Sequence, residues 1–208
     1  MMAIEVFLKD VAWVDILSGV SSIATVAATI VAYRALNTWK KSALLEKRLD
    51  SLDHTSETIF TLHRNLGEVL TMVEVQNILI DAPNDHSSIK YYLGNFAQMD
   101  SQHLREALNK VEPYIDELEL SLSKLNRLDE REQQELMMSF DNIKSIYYKL
   151  IMRSQVLRHA STSDMNDKLL SRVFTVVEQD IPELRNELET YRKNMTHEIE
   201  VWYQMVIS

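Results

Sequence analysis

Residues 100–125 read DSQHLREALNKVEPYIDELELSLSKL, and within them Leu104, Leu108, Val111, Ile115, Leu118, Leu122 and Leu125 recur at alternating three- and four-residue steps. That spacing places all seven side chains on one helical face, so the stretch predicts a long amphipathic helix capped at Asp100 or Ser101. Pro113 lies inside the register and predicts a kink or a restart. The same period continues outward in both directions. Upstream, Leu45, Leu49, Leu52, Ile59, Leu66, Leu70, Val73 and Ile80 form a series with Ser56, His63 and Asn77 at the other seam positions. This series reads either as one helix or as two, broken near Asp53 to Ser56. Between the two series, Asp81-Ala-Pro-Asn-Asp85 predicts a loop, followed by a short helix around Ile89 to Gln98. Downstream, a helix beginning at Asp129 and ending near His159 carries Leu136, Phe140, Ile143, Tyr147, Leu150 and Leu157 on one face. Ser161 to Asp164 reads as a loop with a cap at its end. A last helical region runs from Met165 to about Val206. Within it Asp180-Ile-Pro-Glu183 has the pattern of a capping box with Pro in the first turn, which predicts a break and restart. With only three glycines and three prolines in 208 residues, the chain is all-α: an antiparallel bundle of four to six helices.

The N-terminal part differs from the rest. Ile16 to Tyr33 is an uncharged apolar run. Extended back through Val11 to Val14, with Asp15 the one interruption, it would reach about 34 Å as a helix and cross a hydrocarbon core of roughly 30 Å. Trp13 and Tyr33 fall about 30 Å apart on that helix, one ring at each bilayer interface. The reading is therefore a single transmembrane helix ahead of the bundle, with Trp13, Tyr33, Arg34, Trp39, Lys40 and Lys41 at the interfaces. A cleaved signal peptide would begin with basic residues, and those preceding the run are mainly acidic.

Residues 34–48 carry five basic side chains and one acidic, whereas residues 49–208 carry sixteen basic and twenty-seven acidic. Basic residues after the span orient the C-terminal side toward the cytoplasm of a bacterial inner membrane, with the N-terminus outside. A basic collar also suits an anionic leaflet. The acidic remainder lacks the field that non-specific nucleic-acid binding needs, so nucleic acid is a poor partner. The expected organisation is a short extracytoplasmic segment over 1–10, a transmembrane helix over 11–34, a stalk with the first cytoplasmic helices over 35–80 and a bundle domain over 81–208. The absence of cysteine excludes disulfides and thiolate zinc sites.

Inside the apolar run Asp15, Ser18, Ser22, Thr25, Thr29 and Ala32 alternate at three and four residues and share one helical face, opposite Ile16, Val20, Ile23, Ala27 and Ile30. Small polar residues segregate this way where helices pack closely and hydroxyls bond across the interface. With one span per chain, the face predicts a homo-oligomer or a complex with another membrane protein. A ring of copies would line a polar path with Ser22, Thr25 and Thr29, with Asp15 at the outer mouth. Back-bonding of Ser and Thr to their own helix is the competing account.

Chemistry-bearing motifs are few. No His-Glu-x-x-His, Walker A or Gly-x-Gly-x-x-Gly pattern occurs, and none of the six histidines follows a Glu by three residues as a di-iron bundle requires. No metal or cofactor is expected. With three glycines a phosphate-cradling loop is not expected either. Arg153-Ser-Gln-Val-Leu-Arg-His159 and Arg192-Lys-Asn-Met-Thr-His197 have the Arg-to-His spacing of the HEPN superfamily of helical nucleases, as does Arg48 to His54 in the stalk. The resemblance implies an Arg that holds the scissile phosphate and a His that serves as acid or base. Surface Arg and His on amphipathic helices give the same spacing.

The domain order resembles that of small bacterial inner-membrane proteins with one N-terminal span and a cytoplasmic helical domain; Ile30-Val-Ala-Tyr-Arg-Ala-Leu-Asn-Thr-Trp-Lys-Lys41 is similar to their span exit. In outline it also resembles the HEPN-like membrane accessory protein of type VI-B CRISPR systems. That likeness implies an oligomeric pore-forming effector of phage defence. The alternatives are a non-enzymatic adaptor that brings a cytoplasmic protein partner to the membrane, and a HEPN-like ribonuclease using Arg153 with His159 or Arg192 with His197. Two further features read as structural: methionines such as Met72, Met137, Met152 and Met195 as fillers in helical cores, and Ile199, Trp202, Tyr203, Met205 and Val206 as the docked end of the last helix.

Overall fold

The computed structural model describes the backbone of residues 2–81, 86–128, 134–162, 167–177 and 179–207, with side chains over 24–78, 90–126, 134–162, 169, 171–177 and 179–207. Six helices make up these residues: α1 Met2–Asp81, α2 His86–Asn95, α3 Ala97–Leu128, α4 Gln134–Thr162, α5 Asp167–Val177 and α6 Ile181–Ile207. The chain divides into two units, Met1–Lys47 and Arg48–Ser208.

In the first unit the described side chains, Ala24 to Lys47, are exposed apart from the half-buried Asn37 and Ala43. Among the described residues no helix is long and apolar enough to cross a membrane. The run expected to do so, Ile16 to Tyr33, has described side chains only from Ala24 onward; Trp13, Asp15, Ser18 and Ser22 lie outside them.

The second unit is an up-and-down bundle of α1, α3, α4 and α6. Cross-helix contacts fix the directions. Gln76 and His54 of α1 meet Asp100 and Glu117 of α3, so these helices run antiparallel. Ser101 and Glu119 of α3 meet Ser154 and Lys144 of α4, again antiparallel. Asp53, His63 and Glu74 of α1 face Tyr203, Glu189 and Arg185 of α6 in reverse order. All seven seam residues of α3 are buried, as are the six predicted on α4. All of these except Leu157 form one core with Leu66, Leu70 and Val73 of α1 and Leu188, Met195 and Ile199 of α6. A smaller core joins Tyr92, Leu93, Ala97, Leu157, Val173 and Val177 from α2, α3, α4 and α5.

Several local expectations are corrected. Of the two readings of α1 the single helix holds, unbroken through Asp53 to Ser56, but its seam buries Thr55 and Leu62 where Ser56 and His63 were expected. Thr55 and Thr58 can sit there because their hydroxyls donate to the carbonyls of Ser51 and His54, so no buried donor is stranded. The long helix α3 starts at Ala97, ahead of the expected cap, and runs through Pro113 without restarting. Pro113 is on the exposed side, where a missing backbone bond is answered by water. α4 reaches Thr162, so Ser161 and Thr162 are helical, with both hydroxyls turned back to the Arg158 carbonyl. Met195 fills the core, but Met137 and Met152 are exposed and Met72 is half-buried. The break before α6 forms as predicted: the Glu183 amide donates to Asp180 Oδ1 at 2.9 Å. Ile199 and Trp202 dock the end of α6, and the Tyr203 hydroxyl donates to Asp53. The loops expected at 82–85 and 163–164, and the helix start expected at Asp129, lie outside the described residues.

Candidate functional site

On α4 the buried face steps through Ile143, Ile146, Tyr147 and Leu150, and its next positions are Arg153 and Ser154 before Leu157 resumes the apolar pattern. The helix geometry thus carries a guanidinium into the interior, where Arg153 is 0% exposed. Its Nη1 donates to the Val176 carbonyl of α5 at 3.0 Å and its Nη2 to Asn77 Oδ1 of α1 at 2.5 Å. Nearby, the Tyr92 hydroxyl of α2 donates to Asp100 Oδ2 of α3 at 2.7 Å, and Gln76 Nε2 donates to the Asp100 carbonyl at 3.4 Å. Ser154 Oγ donates to the Ser101 carbonyl at 3.0 Å. Three sets of polar bonds, drawn from five helices, therefore cluster where the two cores meet.

Burial is the dominant effect on the ionisation of this cluster. It lowers Arg153 to about 10, against the opposing influence of Tyr92 and Asp100, which leaves the guanidinium charged at neutral pH. Burial also raises Tyr92, reinforced by its hydrogen bond to Asp100 and by that carboxylate's charge, so the phenol remains a neutral donor. Asp100 is the nearby countercharge but makes no direct ion pair with Arg153 within the described network; the guanidinium is held by neutral oxygens. Arg153 on α4 thereby bonds α1 and α5 at once, while its Nε is buried without a hydrogen-bond partner among the described residues.

Beside the network, α3 and α4 leave a groove of about 510 Å³. Its floor is formed by the buried Ser101 and Ser154, and its walls by Gln98, Arg105, Gln155 and Arg158. Facing stripes of both helices are polar here, in contrast with the apolar seam between them farther along.

The structure separates the two Arg-to-His pairs. Arg153 points inward while His159 is exposed. Arg192 is held by Glu189, with 2.6 Å and 3.0 Å contacts, and lies over the Phe60 ring, whereas His197 is exposed. His63 donates to the same carboxylate, Nε2 to Oε2 at 3.0 Å, the oxygen that also accepts from Arg192 Nε. Arg192 and its neighbours hold Glu189 at about 2, the hydrogen bond from Arg192 being the largest cause. His63 is lowered, chiefly by burial and then by Arg192; the short contact is that of a neutral imidazole N–H to a carboxylate. In the first unit Thr25, Thr29 and Ala32 of the predicted oligomer face are exposed, as are Tyr33, Arg34, Trp39, Lys40 and Lys41. The Thr29 hydroxyl donates to the Thr25 carbonyl at 2.8 Å. Among the described residues no three His, Asp or Glu side chains are grouped to hold a metal ion.

The sequence pattern singled out Arg153 but for the wrong surroundings; it read Asn77 only as a seam position and Asp100 only as a cap, and it passed over Tyr92 and the groove. One signal was available. A charged residue standing in an apolar register, two turns from the end of a long helix, marks a buried polar junction. No family model matches the chain, and no curated protein or solved structure matches it.

Proposed function

We propose that the protein is a membrane-anchored helical assembly: one span in the bacterial inner membrane, the N-terminus outside, the acidic bundle in the cytoplasm, and several copies associated through the small-residue face of α1. The observation that carries this reading is the exposure of the first unit's apolar side chains. Val26, Ile30, Val31, Tyr33, Leu36 and Trp39 are all at least 47% exposed, within a helix whose preceding residues, 16–23, carry no charge. Burying such side chains gains about 1.5–3 kcal/mol each, so lipid and neighbouring helices are the natural cover for them. Thr25, Thr29 and Ala32 share one face, which suits close packing between copies; the back-bonded Thr29 hydroxyl is compatible with this, since an oxygen that donates locally still accepts. A membrane-perturbing effector, with Ser22, Thr25 and Thr29 lining a polar path, is the specific form of the proposal.

The mass of the full-length protein in lipid nanodiscs, by native mass spectrometry or light scattering, tests it. A defined multiple of the 24.2 kDa chain is expected. A monomer would overturn the oligomer and direct the search toward a cytoplasmic partner. Replacing Ser22, Thr25 and Thr29 with Leu should then abolish permeabilisation of vesicles while leaving the chain membrane-bound.

A further inference from the structure

We infer that the groove between α3 and α4 is a binding site for a small phosphorylated, hydroxyl-bearing molecule, such as a sugar phosphate or a mononucleotide. Its volume, about 510 Å³, is within the range of small-molecule sites. The decisive feature is its pair of cations. Arg105 projects from α3 and Arg158 from α4 into the same groove, and neither makes an ion pair among the described residues. Elsewhere on the bundle, Arg185 and Arg192 are each engaged by a Glu, at 2.8 Å and 2.6 Å. Arg64 and Arg172 likewise make no ion pair among the described residues, but Arg105 and Arg158 are the two that line one groove. They can grip a phosphate from two sides through planar, charge-assisted hydrogen bonds.

The remaining lining suits the rest of such a ligand. Gln98 and Gln155 offer both donors and acceptors, and Glu106, held by the Gln102 amide at 3.0 Å, offers a fixed carboxylate to ligand hydroxyls. The floor cannot collapse into the space, because Ser154 is bonded to the Ser101 backbone beside the buried Arg153 junction. No glycine-rich loop is needed, since side chains supply the cradle. The acidic surroundings limit the ligand's size. Polyanions would meet the net negative field, while a single phosphate responds mainly to charges within a Debye length of about 8 Å.

Isothermal titration calorimetry of the full-length protein in detergent tests the site with four probes: AMP, ribose 5-phosphate, inorganic phosphate and adenosine. AMP and ribose 5-phosphate should bind, inorganic phosphate more weakly, and adenosine not at all. Arg105→Gln and Arg158→Gln should each weaken AMP binding by about tenfold or more, and the double variant should abolish it. Both arginines are exposed, so the variants should keep the parent circular dichroism and melting temperature. Glu106→Ala should erase the advantage of ribose 5-phosphate over inorganic phosphate. The assignment is overturned if no probe binds at millimolar concentration, if adenosine binds as well as AMP, or if the double variant binds like the parent.

Discussion

One helix, α1, carries two stretches that contrast in composition and in burial. Over Ala24 to Lys47 its apolar side chains are exposed, Val31 at 66% among them; over Arg48 to Ile78 it buries Leu52, Ile59, Leu66, Leu70 and Val73 almost completely. Helical backbone is common to both, so secondary structure alone says nothing about what covers a helix. What differs is the pattern. The second stretch alternates apolar and charged residues at helical spacing and finds its partners within the chain. The first concentrates uncharged residues up to Tyr33 and finds none among the described residues of its own unit.

That contrast can be broken or sharpened by substitution. The largest effect should come from Arg153→Met. It would strand the Asn77 and Val176 oxygens and leave Asp100 without its nearby cation, at a cost of about 3–5 kcal/mol. Denaturant unfolding would measure it. Asp100→Asn should cost less, and the double variant should fall short of the sum by about 1 kcal/mol if the two charges act as a unit. A full loss from Asp100→Asn with no coupling would disprove that unit.

Next comes a matched pair along α1 itself. Leu70→Ala should destabilise the bundle by about 2–5 kcal/mol, whereas Val31→Ala should change its unfolding by no more than about 0.5 kcal/mol. An equal loss from both would mean that the two stretches are covered in the same way.

The smallest effect concerns the half-buried His63 and its partner. Glu189 is held at about 2, below its unfolded value, so its contribution to stability is complete above about pH 4.5 and is lost as pH falls toward 2. His63 is lowered below its usual 6.5, so the stability of its neutral form is present above that value and also declines as pH falls. Both therefore tilt the curve toward acid instability. Glu189→Gln should flatten the melting profile between about pH 4.5 and 2, by no more than about 1 kcal/mol because the group is partly solvated. A profile unchanged by the substitution would rule out the carboxylate as a source of acid sensitivity.

Much of the bundle was legible because it rests on repetition. Seven seam residues of α3 and six of α4 announce their burial by spacing alone, and Asp180 announces a helix start by its chemistry. What escaped depended on contacts distant in sequence. Asp100 reads as a cap, yet it is buried as the acceptor for Tyr92, a role fixed only when α2 folds back on α3. Arg153 reads as a surface cation, and its partners Asn77 and Val176 lie 76 and 23 residues away. The groove was illegible for the same reason: its two arginines sit 53 positions apart and come to line one groove only in the antiparallel pairing of α3 with α4.

The attachment of α5 bears on how the bundle breathes. Among the described residues, this eleven-residue helix places Leu169, Val173 and Val177 in the smaller core, and its Val176 carbonyl accepts from Arg153, while α3 and α4 share the long apolar seam. Its amides should therefore exchange with solvent deuterium through a shallow local opening, well before those at the centre of α3, so that the molecule loosens from this edge inward.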